Sequence, residues 1–198
     1  MDSLAKIAHK KHWRYLYERR RQRALGINAK QMAWSQVLSL VGSVIAGALL
    51  ETNKLTFALV AGAFVVLPGI FDLDGSLGAA LSAKINHHLE DPDAKAHVVL
   101  AKSVGFAVLI SFLGGLMVAT LGAAIATVFF HAYFAQIFWL ALGAIVLSGL
   151  IGFPIIGLLS VAFRSLKINP DDVVGPIESS IFDILTVITM VTVIGWLA

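Results

Sequence analysis

Apolar residues run in five long blocks along this chain, at roughly 32–50, 55–82, 98–129, 135–163 and 173–198, separated by short polar stretches. An α-helix needs about 20 residues to cross a bilayer, so the pattern predicts an all-α integral membrane protein with five transmembrane helices. The second block is irregular. Pro68, Gly69, Asp72, Asp74 and Gly75 interrupt it before the run LGAALSAKI resumes a helical pattern. Proline and glycine there predict a broken second helix with freed carbonyls, tolerated at membrane depth only where protein or water covers them. Pro154 should kink the fourth span. The chain divides into a basic, amphipathic N-terminal helix at 1–31 and a five-helix domain at 32–198. The mostly polar stretch ahead of the first span does not read as a cleavable signal, and no large cytoplasmic domain is expected within its thirty residues.

Composition agrees with a bilayer setting: 58% of residues are AVILMFWYC, 14% are charged, and the mean hydropathy is +0.85. The pI near 9.3 raises a nucleic-acid partner, but the basic residues are grouped by membrane side rather than spread over a soluble surface. Nine lie in the first thirty residues, Lys84, Lys95 and Lys102 follow the second span, and Arg164 and Lys167 follow the fourth. Only Lys54 falls on the opposite side. By the positive-inside rule the N-terminus is cytoplasmic and the C-terminus external, and the setting is a multi-pass cell-membrane protein. Trp13, Tyr15 and Tyr17 among the N-terminal cations suit either an anionic lipid surface or a solvated helix that only fixes topology. With no cysteine there is neither a disulfide framework nor a thiolate metal site.

The last span holds an acid, Asp183, near its middle. A carboxylate at that depth costs about 2.5–3.5 kcal/mol on insertion scales, so it normally faces a water-filled path or a partner. Asp172, Gly175, Pro176, Ser179, Asp183 and Thr186 fall at steps of three or four, one helical face, and together resemble the wall of a cation pathway. Asp72, Asp74 and Ser76 flank the irregular part of the second span and add oxygen groups; the two acids alternatively cap a cytoplasmic helix end. Glu178 lies about 140° around the helix from Asp183 and is either an accessory ion site or a helix-start acid. Asp171 and Asp172 are either N-caps or acids at a cytoplasmic mouth. His87, His88 and His97 offer a zinc alternative in a connecting loop, and His131 reads as interfacial. Ser35, Ser39, Ser43 and Gly47, then Ser111 with Gly115 and Ser148 with Gly152, form small-xxx-small pairs that serve either packing within the subunit or a dimer seam. Asp72 or Asp74 with Asp183 would be the only acid pair for hydrolysis; no nucleophile–base pair, phosphate loop or catalytic metal spacing stands out, and no enzyme is expected.

Two motifs resemble a family. Pro68, Gly75-Ser76-Leu77-Gly78 and Leu81-Ser82-Ala83-Lys84, with Asn169-Pro170-Asp171-Asp172-Val173-Val174-Gly175-Pro176 followed by Ser179, Ser180 and Asp183, resemble the MgtE-type magnesium transporters. The likeness is greatest to their archaeal single-unit members and to the halves of the solute-carrier 41 transporters. The chain departs from that pattern at Ser76, Lys84 and Asn169, where the family has Asn, Arg and usually Asp, and at Asp74, where it has glycine or a basic residue. The resemblance implies divalent-cation transport, with Mg²⁺ as the transported ion, through a homodimeric pore lined by the second and fifth spans. It makes Asp183, Asp72, Asp74, Ser76, Ser179, Asp172 and Glu178 the candidate metal-contacting residues. Mg²⁺ prefers oxygen and sheds its six waters reluctantly, which suits carboxylates and hydroxyls; the soft ligands favoured by copper or zinc are missing from the stripe. The alternatives are a cation-coupled exporter or carrier of another divalent metal, a heterodimer with a paralogue, and a membrane subunit that transports nothing. Lipid and divalent cations are the expected partners, and nucleic acid is not.

Overall fold

The computed structural model describes residues 29–90, 93–166, 168 and 170–197, leaving aside the side chains of 171 and 172. The basic segment expected to be helical at 1–31 lies almost wholly outside the described residues. Six helices follow: α1 (Ala29–Thr52), α2 (Lys54–Ala58), α3 (Ala63–His88), α4 (Ala96–Phe130), α5 (Phe134–Ser165) and α6 (Pro170–Leu197). Five of them, all but α2, are long and apolar enough to cross a membrane. Among the described residues there is no strand.

The second span is not broken where proline and glycine suggested. α3 runs unbroken from Ala63 to His88 through Pro68, Gly69 and Gly75. Pro68 removes one backbone donor and leaves the carbonyl four residues earlier without its helical partner, yet the turns on either side hold. A turn interrupts the apolar run ahead of that span, between α2 and α3 at Leu59–Gly62. Gly62 takes a left-handed φ of +80°, and a Cβ there would meet Ala126 Cβ at 2.9 Å, so both conformation and space require glycine. Phe57 at the end of α2 and Val60 of this turn are buried in the core. α5 likewise continues through Pro154 and α6 through Pro176.

α3 and α5 form the centre. Each packs against the other and against both α4 and α6, while α4 and α6 do not touch among the described residues. α1 lies outside this group, along α6. The packing rule is visible on α4, whose buried stripe is Ser103, Ala107, Ser111, Gly115, Ala119, Gly122, Ala123 and Ala126, small residues throughout. Phe106, Leu109, Phe112, Leu113, Met117 and Leu121 point outward. Lipid is as apolar as leucine, so large side chains gain nothing from burial; small ones let backbones approach and gain dispersion contact. The sequence pairs Ser111–Gly115 and Ser148–Gly152 are buried inside the subunit in this way. On α1 the inward face is Ser35, Gly42 and Ala46 rather than the straight ladder through Gly47, around which there is open space.

Two apolar clusters fill the interior. One joins Phe57, Ile70, Ala123, Ile145 and Met190, and the other joins Leu81, Ile85, Phe153, Ile156 and Phe182. Between them lies a polar layer at Asp74, Ser148 and Thr186. At the end of the bundle carrying the basic connections, Arg164 of α5 caps α3. Its Nη1 donates to the Asn86 carbonyl (3.1 Å) and to Asn86 Oδ1 (2.6 Å), and its Nη2 donates to the Leu89 carbonyl (2.7 Å).

A Cβ at Gly152 would overlap the Phe182 ring, which leans on bare α5 backbone there. Gly152→Ala should therefore lose about 1–3 kcal/mol through overpacking, read as a lower midpoint of thermal unfolding in detergent. Gly105→Ala, where an added Cβ meets nothing within 4 Å, should match or slightly exceed the wild type.

Candidate functional site

α3 and α6 diverge on one side of the bundle into an open groove of about 510 Å³, lined by Pro68, Phe71, Asp72, Gly75, Ser76, Glu178, Ser179 and Asp183. Helical spacing explains the set. Pro68, Asp72, Gly75 and Ser76 recur at steps of three and four on α3, and Ser179 and Asp183 are one turn apart on α6. The missing side chains of Gly75 and the flat Pro68 ring leave room for the acids opposite; a Cβ on Gly75 would meet nothing within 4 Å.

Asp72, Ser76 and Ser179 are exposed to the groove and Asp183 is half-buried in its wall. Asp183 Oδ2 accepts a hydrogen bond from Ser43 Oγ of α1 at 3.0 Å, while Ser76 Oγ turns back to the Leu73 carbonyl at 3.1 Å. Glu178 is only 2% exposed and forms part of the groove floor. It lies against α3 at Gly78, where a Cβ would come within 2.6 Å of its Oε2, and that oxygen is buried without a hydrogen-bond partner. α6 begins at Pro170, so Glu178 sits more than two turns inside the helix. Helix-dipole stabilisation fades within the first turn, and the helix-start reading of Glu178 is therefore set aside. The backbone also puts Asp171 and Asp172 inside the first turn of α6 rather than at its cap; Asp172 is not among the groove-lining residues described.

Asp74 does not join the groove. Two residues from Asp72 on a helix means the opposite side, and there Asp74 is 0% exposed. Its Oδ2 accepts Ser148 Oγ of α5 at 2.5 Å and Thr186 Oγ1 of α6 at 3.4 Å, while Oδ1 has no hydrogen-bond partner. Thr186, placed by periodicity on the same stripe as Asp183, has thus turned inward to this acid. The sequence places both acids of α3 beside a helix break, whereas the structure gives them separate settings: Asp72 faces open space, and Asp74 ties α3 to α5 and α6. Ser148 and Ser43, the hydroxyls nearest the two mid-span acids, stood out in the sequence only as small residues of helix-packing pairs, not as site residues.

Among the described residues no group of three or more His, Asp and Glu side chains is gathered tightly enough to hold a metal ion. His87 instead makes an exposed pair with Glu90 at 3.6 Å, and His97 lies in the first turn of α4.

Five apolar spans, with an acid-lined groove open on one side of the bundle, define a multi-pass membrane protein. The family described as MgtE, divalent cation transporter, matches residues 67–193, nearly two thirds of the chain, and the chain belongs to it. Its activity is accordingly divalent-cation transport. The match covers every residue lining the groove and leaves α1 and α2 outside. No curated protein matches the chain.

Removing the Asp74 carboxyl would leave the Thr186 hydroxyl facing a cavity, while Ser148 keeps its bond to the Ile145 carbonyl at 3.1 Å; a buried orphaned polar group costs about 1–3 kcal/mol. Asp74→Ala should lose at least that much in detergent unfolding. Asp74→Asn, which keeps volume and an acceptor oxygen, should stay closer to the wild type.

Proposed function

We propose that the groove between α3 and α6 is one wall of a pathway for hydrated Mg²⁺, with Asp183 as its principal cation-attracting group. Asp72, Ser76 and Ser179 present further oxygens to the ion's water shell, and Glu178 stands behind them as a carboxylate in the groove floor. The observation that carries this reading is the convergence of acids from two different helices on one open groove of about 510 Å³ in a mostly apolar membrane domain. Mg²⁺ keeps its waters more tenaciously than larger ions, so a wall of spaced carboxylates and hydroxyls lowers the electrostatic cost of crossing without paying to dehydrate it. Sulfur is missing from the groove lining and so is imidazole, which argues against softer metals.

An open groove on one chain does not enclose an ion on all sides. A second copy facing the first would close it and present Asp183 twice, and a homodimer is the assembly proposed. The distribution of Lys and Arg supports a cytoplasmic N-terminus and an external C-terminus in the cell membrane. In that orientation Asp172, in the first turn of α6, lies at the cytoplasmic mouth.

The test is Mg²⁺ flux into liposomes containing a magnesium-sensitive dye. A charge-assisted contact is worth about 1.5–3 kcal/mol, and 1.4 kcal/mol is a factor of ten, so Asp183→Asn should lower flux about tenfold or more while folding normally. Asp72→Asn should lower it less, because Asp72 is more open to water. A substitution-inert hexaammine complex, similar in size to the hydrated ion but unable to shed its ligands, should compete with Mg²⁺. Wild-type flux in folded Asp183→Asn would remove the groove from the pathway, and a strictly monomeric, flux-competent particle by light scattering would rule out the shared pore.

A further inference from the structure

The helix outside the family match holds the central acid. We infer that Ser43 of α1 is a positioning residue for Asp183, fixing one carboxylate oxygen so that the other is presented to the cation groove. This rests on the reading of the groove as the cation route.

Three contacts within two helical turns join α1 to α6. Ser180 Oγ donates to the Ser39 carbonyl at 2.9 Å. Gly42 lies so close to Ser180 that a Cβ would overlap its side chain. One residue further, Ser43 Oγ donates to Asp183 Oδ2 at 3.0 Å. Ser180 and Asp183 are three residues apart on α6, and Ser39 and Ser43 four apart on α1, so each pair shares a helix face. The seam therefore leads directly to the carboxylate.

Asp183 has two oxygens and several ways to orient them. Terminal torsions of this kind are broad, so an unheld carboxylate would sample orientations that do not face the ion's water shell. A hydroxyl donor at hydrogen-bond distance removes that freedom and costs no net charge, which a lysine or arginine in the same place would. Neighbouring shells that orient a first ligand commonly set affinity in metal sites, and Ser43 supplies the equivalent here from a separate helix. The small residue also keeps the seam tight: Gly42 admits Ser180, and Ser180 holds the depth of α1 through the Ser39 carbonyl. Packing alone explains Gly42; it does not explain a hydroxyl aimed at the one mid-span acid of α6 that lines the groove. Gly47, one turn along, has open space around it and lies off the seam, while Ala46 beside it stays buried.

The experiment is Mg²⁺ flux in liposomes as a function of Mg²⁺ concentration for wild type, Ser43→Ala, Ser43→Thr, Gly47→Ala and Asp183→Asn, with thermal unfolding of each in detergent. Loss of one hydrogen bond to a carboxylate should raise half-saturation about five- to tenfold in Ser43→Ala, with maximal flux within about twofold. Ser43→Thr keeps the hydroxyl and should restore half-saturation, and Gly47→Ala should behave as wild type. A Ser43→Ala protein with unchanged half-saturation overturns the inference. So does equal impairment of the alanine and threonine variants, or a change confined to unfolding temperature, because each reduces Ser43 to packing. If Asp183→Asn also transports as wild type, the groove itself is not the route and both readings fall; if only Asp183→Asn is impaired, the groove stands and Ser43 does not position it.

Discussion

Glycines from three helices converge on one short piece of α6. Gly152 of α5 lies under the Phe182 ring, Gly78 of α3 faces Glu178 and Phe182, and Gly42 of α1 admits Ser180. None of these positions accepts a Cβ without displacement, so residues 178–183 sit at closer range to their neighbours than any larger side chain would allow. In a bilayer, where burial of apolar area gives little driving force between helices, such close approach supplies much of the attraction. It also fixes the rotation of α6 about its axis, and that rotation decides which of its side chains face the groove. Ser179 and Asp183 face open space because Glu178, Ser180 and Phe182 are held by the three glycines.

The same helix serves two polar regions. Asp183 faces the groove and Ser43, while Thr186, one turn on, reaches Asp74 in the interior. α3 does likewise, with Asp72 outward and Asp74 inward. A displacement of α3 against α6 would therefore alter the groove's width and the buried Asp74–Ser148–Thr186 contacts together. The polar layer divides the interior into two apolar clusters, so that directional hydrogen bonds pin the helices at mid-depth in addition to the close packing on either side. Directional bonds discriminate between registers where apolar contact does not.

Much of this architecture was legible in the chain. Five spans, their approximate limits, the family and the acids on α3 and α6 follow from hydropathy runs and two motifs, because a membrane helix must be apolar along its whole length and a charged residue within it stands out. Local rules were less reliable for the backbone. Pro68 and Gly75 looked like the break in the second span, yet α3 continues through them, since packing on α4, α5 and α6 holds the helix where propensity alone would release it. The turn that interrupts the apolar run sits ahead of that span at Gly62, whose positive φ is a property of one turn and leaves no periodic trace.

Sequence by itself determined that this chain enters the membrane five times, to which family it belongs and which few polar residues lie at depth, because composition and periodicity are properties of each segment alone. Tertiary structure decided which of those residues meet. Asp72 and Asp74 are two positions apart in the chain but on opposite sides of α3, one open to the groove and the other sealed between α5 and α6. Ser43 and Asp183 are separated by most of the chain and form one hydrogen-bonded pair. Periodicity assigns a residue to a face of its own helix, but which neighbour that face meets depends on how closely the backbones approach, and that is set by glycines on other helices.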